Sequence, residues 1–328
     1  MGTRSSYLAM STGLLVAGLV GCAADAGMDV GMDESADGVG DVAVAEASAD
    51  VLAQRAPTPE RFSFFVTSLR AMREYSKSSL GFGGDLRFGE TGAGAGLRGA
   101  DKLCATIAED SLPGSGSKVW RAFLSTVKGG PNGGPVHAKD RIGNGPWYDR
   151  AGRVVGLTKT DLIKVRPASA DPAIKNDLPN EDGVPNHNPD GTGQVDNHDI
   201  LTGTNDKGEL YANDVRYTCD DWTKSKADAA DSPRVGHSWP RSGTPVRVGS
   251  GAVGSIFAQR VPPGSGFPGG GAVPGFGGGS TDNWMSALNE AGCGAGVSII
   301  EMGPPRENNP TVGSGGGYGG IYCFALTP

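Results

Sequence analysis

The sequence predicts an α+β fold of small antiparallel sheets with one or two helices, long loops and two disulfides. Three observations carry this. Segments rich in β-formers are short, and stretches dense in Gly, Pro, Asn and Asp separate them. The chain holds 55 Gly and 22 Pro among 328 residues, so much of it must be turn and loop. Four cysteines lie beyond the N-terminal segment, Cys104, Cys219, Cys293 and Cys323, and none sits in a CxxC spacing. That pattern points to two disulfides in an oxidising compartment rather than to a zinc site. The residues alone leave all three pairings open.

Each element has its own signal. Phe62–Ser68 is rich in β-formers and reads as a first strand. The Gly-rich segment 81–96 reads as a loop. Gly99–Asp110 reads as a helix, because Leu103 with Ile107 and Cys104 with Ala108 form i, i+4 pairs on one face. Asp101 would sit in or before its first turn, where a carboxylate suits the dipole, and Pro113-Gly114 stops it. Val119–Ser125 is a second strand. Pro146–Val155 is a hairpin turning at Asp149–Gly152. Residues 167–215 read as one long irregular region. Tyr217–Cys219 and Trp222-Thr223 form a short strand. Segment 263–280 is half Gly, a flexible insertion. Ser280-Thr281-Asp282 caps a short helix that carries Trp284 and Leu288 and ends at Gly292. Gly320–Leu326 is a terminal strand. Trp120, Trp147 and Trp222 are expected in the core, and Trp239, next to Pro240, on an exposed loop.

The N-terminus reads as a targeting segment. Arg4 precedes a short apolar stretch, Leu8–Val20, that ends in Leu19-Val20-Gly21-Cys22. This resembles a bacterial lipobox, so residues 1–22 are expected to be a lipoprotein signal and Cys22 to carry the lipid. The anchor implies a membrane partner, and a location in the cell envelope at the outer membrane or cell surface. Residues 23–60 follow as an acidic tether. Between 23 and 54 there are eight acids and no Lys or Arg, a composition that favours disorder over a packed core. The domain itself is expected over 61–328. Net charge is −7 and the pI about 5.2, which argues against nucleic acid as a partner.

Several runs recur together in one family. They are Gly99-Ala100-Asp101-Lys102-Leu103-Cys104, Arg121-Ala122-Phe123-Leu124-Ser125, Leu201-Thr202-Gly203-Thr204-Asn205, Thr218-Cys219-Asp220-Asp221-Trp222-Thr223 and Tyr322-Cys323-Phe324. In this order the chain resembles bacterial secreted domains of the C-type lectin-like fold, the collagenase NC10/endostatin-like branch. The resemblance spans about residues 61–328 and implies the pairing Cys104–Cys323 with Cys219–Cys293. It is specific for fold and weak for function.

The densest candidate chemistry lies in Asn180–Asp206. The carboxylates Glu181, Asp190, Asp196, Asp199 and Asp206 supply hard oxygen donors of the kind Ca²⁺ takes, and Asn186, Asn188, Asn197 and Trp239 are candidate ligand-binding groups. In the resembled fold this long loop is where calcium and sugars bind. The plain alternative is a solvated loop in which Asn and Asp serve turns. The sequence lacks the Glu-Pro-Asn, Gln-Pro-Asp and Trp-Asn-Asp triplets of sugar-binding lectins. Zinc through His187 and His198 is the weakest reading, since nothing fixes a third ligand. His137 and His237 read as structural. No Gly-x-Ser-x-Gly elbow leads from strand to helix, and the Gly-rich run 83–99 lacks a Gly-Lys-Ser/Thr ending. No catalytic residue is assigned. The expectation is a surface-anchored binding module for an extracellular glycan or protein, with calcium as a candidate cofactor and the solvated loop as the favoured reading of Asn180–Asp206. A structural envelope or matrix protein, and less strongly an enzyme on the lectin-like fold, stay open.

Overall fold

A computed structural model describes residues 58–187, 197–240, 282–299 and 308–326. The chain divides into two units, residues 1–46 and 47–328, and every described residue belongs to the second. Cys22, the tether up to residue 57, the insertion 263–280, Asn188, Asp190 and Asp196 lie outside the described residues. Among the described residues no helix is long and apolar enough to cross a membrane.

The fold is mixed α+β, with small sheets, few helices and two disulfides. Its spine is the last strand, β8 (Gly317–Ala325), buried along its whole length. In the main sheet β1 (Phe64–Val66), β8, β5 (Asp199–Leu201), β6 (Arg234–His237) and β7 (Leu288–Asn289) lie side by side, and β2 (Trp120–Ala122) also pairs with β8. All pairings are antiparallel except β5 with β8. A separate two-stranded ladder, β3 (Trp147–Tyr148) with β4 (Val154–Gly156), is the expected hairpin.

Alternation along β8 builds two cores. Ile321, Cys323 and Ala325 face one; Tyr322 and Phe324 face the other. Tyr318 shares the first face with Ile321, three residues on, because the strand bulges between them. Gly319 has φ +75 there, and a Cβ on it would come within 2.7 Å of the Val312 side chain. The first core packs Phe62, Phe65, Trp120 and Trp222 against the long helix α2 (Ala95–Ser111). The second joins Phe64, Phe123, Trp147 and Trp284, with Phe123 and Trp284 ring centroids 4.8 Å apart.

The disulfides are Cys104–Cys323 and Cys219–Cys293, each with a Cα–Cα distance of 5.6 Å. The first ties α2 to β8 across the first core. Trp120, Trp147 and Trp222 are buried as expected.

Several local expectations are corrected. The long helix begins at Ala95, inside the segment read as loop, because its glycines serve contact rather than turns. A Cβ at Gly99 would lie 2.0 Å from the Arg87 carbonyl oxygen, and one at Gly96 2.1 Å from that of Asp221. Asp101 is therefore well inside the helix. It accepts from the Ala122 amide (2.9 Å) and from Arg141 (2.8 Å), which anchors β2. A further helix, α1 (Leu69–Ser76), follows β1 directly. Tyr217–Thr223 is not a strand. Cys219, Asp220, Asp221 and Trp222 all have positive φ, between 49 and 66, and form one left-handed turn. Such a turn is unfavourable for L-residues. Here the disulfide fixes it, Trp222 Nε1 donates to Ser125 O (2.9 Å), and Asp221 accepts from the Val127 and Lys128 amides (2.7 Å each). No helix carries Trp284. The Asn283 side chain accepts from the Met285 and Ser286 amides instead, and Leu288–Asn289 pairs with β6. The region read as irregular also contributes β5, whose Ile200 and Leu201 are fully buried in the centre of the sheet.

Candidate functional site

The first candidate is a cleft at the start of α1. Ser68 caps this helix, its Oγ accepting from the Ala71 amide at 3.1 Å. Glu181, buried, accepts from the Ser68 amide (2.8 Å) and the Ser68 hydroxyl (2.5 Å). Burial pushes its carboxyl pKa up, and the Ser68 bonds oppose that. Arg70 then reaches Glu181 (3.2 Å) and Asp182 (3.0 Å). These contacts lock α1 to the turn at 180–184 and leave a cleft of about 550 Å³ lined by Leu69, Arg70, Arg73, Asp182, Val184 and Ile299 among others. Arg70 and Arg73 are exposed.

Asn186 and Asn197, buried at the back of the cleft, form a reciprocal brace. Asn186 Nδ2 donates to the Asn197 carbonyl (3.2 Å), and Asn197 Nδ2 to the Asn186 carbonyl. Asn186 also donates to Ser238 Oγ (3.2 Å) and accepts from Tyr318 OH (3.2 Å). Asn197 accepts from Trp239 Nε1 (3.1 Å). Their amides thus serve to pin the two ends of the 186–197 segment together. Trp239 is half-buried rather than an open platform. Its ring lies against His187 (4.1 Å between centroids) and His198 (4.9 Å).

The second candidate lies beneath Trp239. Asp199 on β5 and His237 on β6 are opposite partners in an antiparallel ladder, so their side chains share one face. His198 joins them, and all three are fully buried. His237 Nε2 approaches Asp199 Oδ1 at 3.0 Å, and His198 Nε2 approaches the same oxygen at 3.5 Å. Glu290, also buried, is close enough to Asp199 to feel its charge. Burial first, and the Asp199 charge second, push the Glu290 pKa well above the usual range. Ser314 Oγ (2.5 Å) and the Gly315 amide (2.9 Å) hold its Oε2.

The expected calcium ligands do not converge among the described residues. Glu181 is held by Ser68 and Arg70, Asp199 lies between two histidines, and Asp206 is exposed on a loop. Asp190, Asp196 and the candidate ligand group Asn188 lie outside the described residues. Sequence reading missed Arg70, Arg73, His237 and Glu290. The two arginines sit on a helix that carried no expectation. His237 meets Asp199 only through long-range strand pairing, which no local spacing reveals.

Comparison of the chain with protein-family models, with curated proteins and with solved structures finds no match.

Proposed function

We propose that this chain is an extracytoplasmic binding module, anchored to the cell envelope through a lipid on Cys22, which takes an anionic carbohydrate or protein ligand in the cleft beside α1. The observation that carries the reading is the pair of exposed guanidinium groups, Arg70 and Arg73, above the apolar side chains of Leu69, Val184 and Ile299. A guanidinium fork matches the two oxygens of a carboxylate, and the apolar lining suits a sugar face or an aliphatic side chain. Asp182 already pairs with Arg70, so an incoming carboxylate exchanges one partner for another.

The lectin-like fold belongs to the same proposal. It is supported by the disulfide pairing, which joins the cysteines that the family resemblance implies. Calcium enters only through Asp190 and Asp196, since the other expected ligands have protein partners or stand apart.

A panel of acidic and neutral oligosaccharides and of acidic peptides, applied to the wild type and to Arg70→Ala/Arg73→Ala, tests the reading. An acidic ligand should bind, weaken with salt, and lose at least tenfold in affinity in the double variant, measured well below that variant's own Tm. Equal binding by the double variant would contradict it. Equal binding in EDTA would remove calcium and leave the cleft.

A further inference from the structure

We propose that His198, Asp199 and His237 form a binding site for a first-row divalent ion, with Zn²⁺ the best fit. The site is separate from the cleft, and neither proposal depends on the other.

Two imidazoles and one carboxylate suit Zn²⁺ and its neighbours, whereas Ca²⁺ takes six to eight oxygens. Zn²⁺ bonds to nitrogen and oxygen run ~2.0–2.2 Å, so two donors of one tetrahedral site stand about 3.3 Å apart. The approaches of the two Nε2 atoms to Asp199 Oδ1, 3.0 and 3.5 Å, bracket that spacing. One ligand atom from each residue lies within 4.8 Å of the others. The imidazole rings meet at 80° rather than stacking, with centroids 4.2 Å apart, so both edges reach the carboxylate.

The surroundings hold this geometry. The His237 amide donates to Asn283 O (3.0 Å), and its carbonyl accepts from Arg166 (2.7 Å). The Asp199 amide donates to Gly316 O (3.0 Å). Glu290, fixed by Ser314 Oγ and the Gly315 amide, places a second buried carboxyl near Asp199, where metal ligands commonly have a supporting group. The Trp239 ring over His198 covers the site on one side. Among the described residues three protein donors converge, and a four-coordinate ion takes its fourth ligand from beyond them. An ion here would bind β5 to β6 at the end of the sheet nearest the Asn186–Asn197 brace.

The experiment is isothermal titration of the oxidised protein with Zn²⁺, followed by thermal unfolding with Zn²⁺ or EDTA. One ion should bind per chain and raise Tm by several degrees, and EDTA should reverse this. His237→Gln and Asp199→Asn should each abolish the rise. Glu290→Gln should weaken binding by about 10–100-fold, as loss of a group behind a ligand does. His187→Ala and His137→Ala should bind as the wild type. Failure of the wild type to bind one equivalent would overturn the site, as would undiminished binding by His237→Gln. Should the ligand variants fail to fold, wild-type protein loaded with Co²⁺ decides. The strong visible bands of four-coordinate cobalt support the site, and the weak spectrum of six-coordinate cobalt overturns it.

Discussion

At the residue scale, Asn180, Asn186 and Asn197 act mainly through the backbone they hold. Asn186 and Asn197 were legible as functional candidates by type and position. Their partners were not, because each bonds across a gap that sequence spacing does not measure. Removing either amide leaves a buried carbonyl without its donor, so Asn197→Ala should cost about 1–3 kcal/mol in urea unfolding. Asp221 is a sharper case. Its Ala variant strips the acceptor from two amides at once and should cost at least as much, with the left-handed turn loosened. Asp177 gives a pH signature. Burial pushes its pKa from the ordinary 3.8 up to about 7, against the opposing pull of the His187 amide and Arg166. The folded chain therefore holds a proton that the unfolded chain has lost between about pH 4 and 7. The stability this provides is present below that window and is lost as pH rises through it. Urea unfolding from pH 4 to 7 should show the decline, and Asp177→Asn should flatten it. An unchanged slope in the variant would place the effect on the other buried carboxyls.

At the element scale, the strands around the aromatic runs were legible, because Phe64–Val66 and Ile321–Ala325 alternate between two cores and Trp120 and Ala122 face the first of them. The long helix was legible only from its apolar pairs onward. Its first turn is hidden by Gly96 and Gly99, which read as loop residues and act as contact points. Gly99→Ala should therefore not gain the helix propensity of alanine. A methyl group 2.0 Å from a backbone oxygen forces the helix away from the 86–87 loop and should cost about 1–3 kcal/mol. The reading of 217–223 as strand failed for a different reason. Thr218, Cys219 and Trp222 have the residue types of a strand, while the disulfide and Asp221 impose a turn that propensity disfavours. At α1, Ser68→Ala removes the cap and one Glu181 bond and should cost about 1 kcal/mol, read as a lower Tm. It should also loosen the cleft.

At the scale of the whole molecule, a chain this rich in glycine has much conformational entropy to lose. The two disulfides span 219 and 74 residues, and in the loop-entropy view they contribute about 5 and 4 kcal/mol respectively. Reduction should lower the denaturation midpoint sharply, and Cys104→Ala/Cys323→Ala should be the more damaging of the paired variants. The fold class was legible because turn density and cysteine number are global properties. The cleft and the His198–Asp199–His237 cluster were not, because each is assembled from segments far apart in the sequence. The proposed binding role of the cleft is tested most directly by following the Nε–H resonances of Arg70 and Arg73 as an acidic ligand is titrated in. These two signals should shift in proportion to saturation while those of His198 and His237 stay in place. Signals from both arginines that stay fixed as the ligand saturates elsewhere would contradict it.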